Sequence, residues 1–144
     1  MGSPEVFDYE EWARATAELF PNLRAWIDDA KDLHDLWIRL WMAFERAYDD
    51  LPDHSFIAEV HRFALFCLGS RDWKVREGVE IGFYEDLASS VYDDEPRFRA
   101  KMRDVARYIT PDKFLSLRAV FGYSLQGYGW ETFLSDYESP AREI

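Results

Sequence analysis

Apolar residues recur every three or four positions along most of the chain, a spacing that predicts helices. The first series follows Asp8, which forms a variant of the capping box with Glu11. The next series covers residues 23–48 and fits either one long helix or two helices that break between Asp28 and Asp32. Because no alternating run of β-branched residues is long enough for a sheet, we expect an all-α fold.

The second half of the chain continues the helical pattern and then changes character. Further helices are predicted over residues 56–68, 72–90, 95–109 and 111–121. An aromatic and glycine-rich loop from Gly122 to Trp130 should follow, then a short helix over residues 131–137. Residues 1–7 are expected to be disordered or extended, and residues 138–144 to form a flexible tail. The prediction is one domain, residues 1–144, folded as a compact bundle of about six to eight antiparallel helices.

The helix that follows Asp72 carries apolar residues on two faces. Its two stripes are Val75, Val79, Phe83 and Leu87, and Ile81, Tyr84, Ala88 and Val91. A helix with two apolar stripes contacts neighbours on two sides, so this helix should lie at the centre of the fold. Gly78 and Gly82 lower helix propensity, and they predict that a neighbouring helix approaches closely there.

The start of this helix resembles the second helix of a HEAT-type repeat. The resemblance rests on Asp72, Val75 and Arg76, and more loosely on Val79 and Gly82. It implies that Asp72 and Arg76 have structural roles in holding the turn and adjacent repeats together. The pattern does not recur at the repeat period of about 40 residues. We therefore expect a bundle that is partly HEAT-like and not a repeat array.

Charge limits the classes of partner. The chain carries a net charge of −11, and residues 1–59 account for −9 of it. Such acidity argues against binding to nucleic acids or to anionic membranes, both of which need a basic surface. No apolar stretch reaches the length of about 20 residues that a membrane span needs. With a single cysteine and no signal-peptide pattern, the chain is expected to be a cytoplasmic protein.

Side chains capable of chemistry do not form a recognised motif. His54 and His61 are seven residues apart, so one helix face cannot bring both to one metal ion. His34 belongs to no zinc or di-iron motif, and Cys67 lies among the inward residues of its helix. The prediction is therefore a protein that is not an enzyme and needs no metal or cofactor.

Two sets of residues are candidates for a binding surface. The first is acidic and flanks the helix that contains Trp37 and Trp41; the second is the aromatic loop. Together they predict a protein interface with a charged rim that attracts a basic partner. The alternatives are a solvated acidic surface, tryptophans packed in the core, and a loop that covers the bundle. The candidate residues are Asp28, Asp29, Asp32, Asp35, Asp49, Asp50 and Asp53, with Tyr128 and Trp130.

The predicted function is that of a small acidic protein-binding module. In size, acidity and helical character the chain is similar to bacterial immunity proteins, which implies that it neutralises a basic toxin. An alternative is a helical enzyme or ligand-binding domain, with a pocket between the Trp-rich helix and the aromatic loop. A deep pocket that holds His34 or His61 beside a carboxylate would favour this alternative. The oligomeric state and the set of exposed aromatic residues stay open.

Overall fold

The computed structural model describes residues 7–49 and 51–143, with side chains up to residue 139. Every regular element in these residues is helical, so the all-α prediction is confirmed. None of the helices in this part of the chain is long and apolar enough to cross a membrane. The α-helices are α1 (Tyr9–Leu19), α2 (Arg24–Asp29), α3 (Leu33–Arg46), α4 (His54–Leu68), α5 (Trp73–Val79), α6 (Glu85–Ala88), α7 (Glu95–Tyr108), α8 (Pro111–Ser116), α9 (Arg118–Leu125) and α10 (Trp130–Glu143).

Side-chain oxygens cap the start of most of the longer helices. Each capping residue accepts a hydrogen bond from a backbone N–H in the first turn, where a helix has no partner of its own. The capping residues are Asp8, Asp32, Asp53, Asp72, Asp94 and Thr110, which precede α1, α3, α4, α5, α7 and α8. Part of the acidity of the chain therefore serves to define where helices begin.

The long apolar series of residues 23–48 forms two helices. The helix α2 ends at Asp29, and Ala30 adopts an extended backbone conformation. The helix α3 then begins after Asp32, whose carboxylate accepts a hydrogen bond from the N–H of Asp35. The break falls in the segment where helix propensity is lowest.

The helix after Asp72 is the centre of the molecule, as its two stripes predict. The helices α5 and α6 are joined by a π-helical turn, Glu80–Tyr84, and a 3₁₀ turn, Ser89–Tyr92, completes the last part. We call residues 73–92 the central helix. Seven of its eight stripe residues are buried or partly buried, whereas Ile81 is 53% exposed and its predicted inward position is wrong.

The predicted close approach occurs between the central helix and α3. A Cβ atom placed on Gly82 would lie 2.4 Å from the Cβ of Trp37, which no real side chain tolerates. A Cβ on Gly78 would lie 3.8 Å from the Cβ of Leu33, an ordinary contact. Leu33 faces Gly78 and Trp37 faces Gly82, so the residue numbers of the two helices increase in the same direction and the helices run parallel. The helix α4 connects them in the chain.

The C-terminal region differs from the sequence prediction. The helix α9 continues to Leu125, so the predicted loop from Gly122 to Trp130 is wrong over its first half. Burial of Phe121 and Leu125 keeps this segment helical despite its glycine. The remaining part of the predicted loop is a 3₁₀ turn, Gln126–Tyr128, followed by Gly129 in the left-handed region at φ 87°.

The two ends of the chain were expected to be extended or flexible. The helix α10 continues to Glu143, so residues 138–143 are helical where a flexible tail is expected from the sequence. Residues 1–6 lie outside the described residues. Phe7 packs its ring against Trp12, with ring centroids 6.1 Å apart.

Candidate functional site

A groove on the surface lies between α3 and the central helix. It has a volume of about 650 Å³. One wall comes from α3 and the other from the parallel central helix, so both walls are helical. We call this feature the groove; its lining residues are Leu33, His34, Trp37, Ile38, Trp41, Met42, Trp73, Lys74, Glu77, Gly78, Ile81, Gly82, Glu85 and Asp86.

Large apolar side chains are exposed on both walls of the groove. Ile38 and Met42 lie on α3, and Trp73 and Ile81 lie on the central helix, with exposed fractions between 47% and 57%. A single exposed apolar residue is ordinary, but four that line one concavity form a patch. Because these four side chains line one groove, the groove is a candidate binding surface.

The floor of the groove depends on the π-helical turn. Gly82 lies within this turn, and the Trp37 side chain occupies the space that any larger residue at position 82 would fill. The wider π turn places Ile81 on the open side of the groove, while Phe83 and Tyr84 enter the core. Turns of this kind within α-helices occur frequently at functional sites.

The charges along the groove are unequal at its two ends. Lys74 lies at the end where both walls begin, whereas Glu85 and Asp86 lie at the opposite end, with Glu77 between. Burial, the neighbouring Glu85 carboxylate and the more distant Glu45 carboxylate together raise the pKa of Asp86 to about 6. Burial also raises the pKa of Glu85. No ion pair involves these carboxylates within the described residues, so this end of the groove can accept a cation.

A buried polar cluster lies behind the wall formed by Trp41. Lys101 is fully buried, and its Nζ contacts Oε1 of Glu45 at 2.6 Å and Oδ2 of Asp93 at 2.7 Å. The same ammonium lies 5.6 Å from the centroid of the Trp41 ring. Arg97 adds a second cation to Glu45 at 3.0 Å. Since its charges are paired, we assign this cluster a structural role.

The first group of predicted acidic residues lies near the start of α3, outside the groove lining. Asp28 forms an exposed ion pair with Arg24, and Asp29 is exposed. Asp32 caps α3. Asp35 accepts a hydrogen bond from the N–H of Lys31, which lowers the pKa of its carboxyl. Two of these four carboxylates therefore already serve the local fold.

The second acidic group lies at the other end of α3, so the structure does not bring the two groups together. Asp49 pairs with Arg97 at 3.1 Å, and Asp53 caps α4. Asp50 lies outside the described residues. The helix α3 has 14 residues, which corresponds to about 21 Å between its ends.

The two aromatic candidates pack onto the C-terminal helices. Trp130 stacks on Phe114 with a centroid distance of 5.4 Å. Tyr128 donates a hydrogen bond to Asp136, and burial together with this carboxylate raises the pKa of Tyr128 to about 12. Tyr128 also lines a second cleft of about 530 Å³ between α7 and α10. This cleft is separate from the groove, and it carries charges of both signs.

The histidines and the cysteine offer little chemistry. His34 lines the groove, but it is exposed and has no hydrogen-bond partner within the described part of the chain. His61 is buried among Phe44, Phe83 and Tyr108, and burial lowers its pKa to about 3. Burial raises the pKa of Cys67. The pocket of the enzyme alternative is also placed differently, because the Trp-rich helix faces the central helix and not the C-terminal turn.

The groove residues were not identified from the sequence, although a signal for them exists. Ile38 and Met42 interrupt the polar face of α3 at a spacing of four, which places them on one helix face. Ile81 instead belongs to a stripe predicted to face inward, so the sequence does not join it to Trp73. The signal requires knowing that the two helices lie side by side.

No family model, curated protein or solved structure matches the chain.

Proposed function

We propose that the protein is a protein-binding module and that its groove docks a basic partner protein. The observation that carries the proposal is the set of four half-exposed apolar side chains, Ile38, Met42, Trp73 and Ile81, on two neighbouring helices that line one groove. Binding surfaces commonly combine apolar anchors with a polar rim, and the rim here contains unpaired carboxylates.

The charge of the whole chain supports a basic partner. A net charge of −11 attracts cationic proteins over distances of about one Debye length, which speeds their association. Neutralisation of a basic bacterial toxin is the specific form of this proposal. It is supported by the acidity and small size of the chain, and a toxin encoded by the neighbouring gene would strengthen it.

The proposal is tested by affinity capture from the native host with matched variants. The Met42→Ser/Ile81→Ser double variant removes two apolar side chains from the groove without changing the charge, while Leu115→Ser makes the same kind of change at an exposed apolar residue of α8. We expect wild type and Leu115→Ser to retain a basic protein that the groove variant loses. Added salt should weaken the retained complex. Thermal melts check that all variants fold.

A further variant separates the groove from the acidic residues near the start of α3. Asp28→Asn/Asp29→Asn removes two exposed charges that do not line the groove. We expect this variant to retain the partner with at most a small loss of affinity. Undiminished capture by the groove variant, or loss of capture by Asp28→Asn/Asp29→Asn alone, would refute the groove as the docking surface.

A further inference from the structure

The shape of the groove specifies what can fill it. The lining residues of the central helix run from Trp73 to Asp86, which corresponds to a length of about 20 Å. A trough between two parallel helices accommodates a third helix, whose side chains fit between theirs. An α-helix of about 13 residues has the matching length. An extended strand would find no strand edge to pair with there, because both walls are helices.

The charges of the groove favour one direction for such a helix. Glu85 and Asp86 at one end attract the positive end of a helix dipole, which is the N-terminus. Lys74 at the other end attracts the negative, C-terminal end. Asp32 and Asp35 lie near the Lys74 end, but they are engaged in the cap of α3 and in the ion pair with Arg39.

We infer that the groove binds a basic amphipathic helix of the partner, antiparallel to α3 and the central helix, with lysine or arginine near its N-terminus facing Glu85 and Asp86. The inference rests on the proposed protein-binding function and adds the form, the charge and the direction of the bound segment. Apolar residues at positions i, i+3, i+4 and i+7 of that helix contact Ile38, Met42 and Ile81.

The direction is tested with a defined probe. The probe is a peptide of about 13 residues with leucines on one face, two lysines in its first turn and blocked termini. A nitroxide label is attached at either end. We expect the N-terminal label to broaden the Met42 methyl signal in NMR spectra, because Met42 lies at the Asp86 end. The C-terminal label should broaden the Trp73 indole signal.

The charge preference is tested by titration of the same peptide against charge variants. Glu85→Gln/Asp86→Asn should weaken its binding by about 5-fold, since two cation contacts and a dipole contact are lost. The matched control Glu131→Gln, on exposed α10 surface, should bind as wild type does. A peptide with both lysines in its last turn should bind less tightly, and its binding should depend less on these two carboxylates.

The outcomes separate this inference from the proposed function. Broadening with the two labels exchanged, or equal affinity of Glu85→Gln/Asp86→Asn and wild type, overturns the inferred direction and charge while leaving the groove as the site. Failure of the peptide to bind wild type also overturns the inferred form of the ligand. Peptide binding that survives Met42→Ser/Ile81→Ser undiminished places the site elsewhere and overturns the proposed function as well.

Discussion

At the scale of residues, several polar atoms are buried without a partner in the described structure. They include the hydroxyl of Tyr84, the indole N–H of Trp37 and both ring nitrogens of His61. Leaving a buried donor or acceptor unpaired lowers stability. The sequence pattern predicts an inward position for Tyr84 but not for His61, and periodicity carries no information about whether a polar atom finds a partner.

Tyr84 offers a direct test of this cost. We expect Tyr84→Phe to raise the free energy of unfolding by about 1 kcal/mol, because it removes an unpaired hydroxyl and leaves the ring in place. The matched control is Tyr137→Phe, since the Tyr137 hydroxyl is also buried but donates to the carbonyl of Ile109 at 2.7 Å. That control should lower stability by about 1 kcal/mol. Urea unfolding measures both, and equal effects would contradict the assignment.

At the scale of elements, the central helix shows how far a sequence pattern can lead. Two apolar stripes and two glycines predict its central position and its close neighbour, and both features are present. The π turn was not predicted from the sequence; it includes Gly82, beside which the Trp37 side chain lies. Ile81 lies in the same turn and is exposed.

The same limit explains the error at the C-terminal end. The propensity of Gly122 and its aromatic neighbours favours a loop, yet burial of Phe121 and Leu125 stabilises a helix through this segment. Helix boundaries depend on tertiary packing wherever propensity is weak. Boundaries that carry a side-chain cap, such as those after Asp53 and Asp72, could be predicted from the sequence.

The two glycines of the central helix should respond differently to the same substitution. Gly82→Ala is expected to lower the free energy of unfolding by about 2 kcal/mol, because its methyl group overlaps Trp37. Gly78→Ala has room, so alanine's better helix propensity should leave stability unchanged or raise it by up to about 1 kcal/mol. Thermal and urea unfolding compare the pair. Equal tolerance of both substitutions would show that the helices do not meet at Gly82.

At the scale of the whole molecule, composition predicts the class of the protein better than it predicts the site. A charge of −11 and regular apolar spacing predict an acidic helical protein, and the structure agrees on the helical fold. The described members of the predicted acidic set flank α3 at its two ends, and Asp32 and Asp53 serve as helix caps. The groove combines residues from distant parts of the chain, so it could be located only after the helices were placed.

One buried group should make the stability of the molecule depend on pH. The folded state holds the pKa of His61 at about 3, whereas an unfolded chain restores a value of about 6.5. Below pH 6.5 the unfolded state therefore binds a proton that the folded state does not bind. The free energy of unfolding falls as the pH falls towards 3. Above pH 6.5 His61 is neutral in both states and contributes no pH dependence.

The variant His61→Phe isolates this effect. Between pH 7 and pH 5, wild type should lose about 2 kcal/mol of unfolding free energy relative to this variant. Asp86 changes stability in the opposite direction, because its raised pKa favours the folded state in acid, but it does so equally in both proteins. His34→Gln controls for the loss of an exposed histidine. Parallel pH profiles for wild type and His61→Phe would contradict a buried, neutral His61.

The contact between Trp37 and Gly82 has a consequence for how this protein can evolve. Each of the two residues limits the size of the other, since a larger residue at position 82 fits only beside a smaller one at position 37. A single substitution at either position therefore passes through a destabilised intermediate. In descendants of this chain the two positions should be inherited as a pair, and the double replacement Trp37→Leu with Gly82→Ala should cost less stability than the sum of the two single replacements.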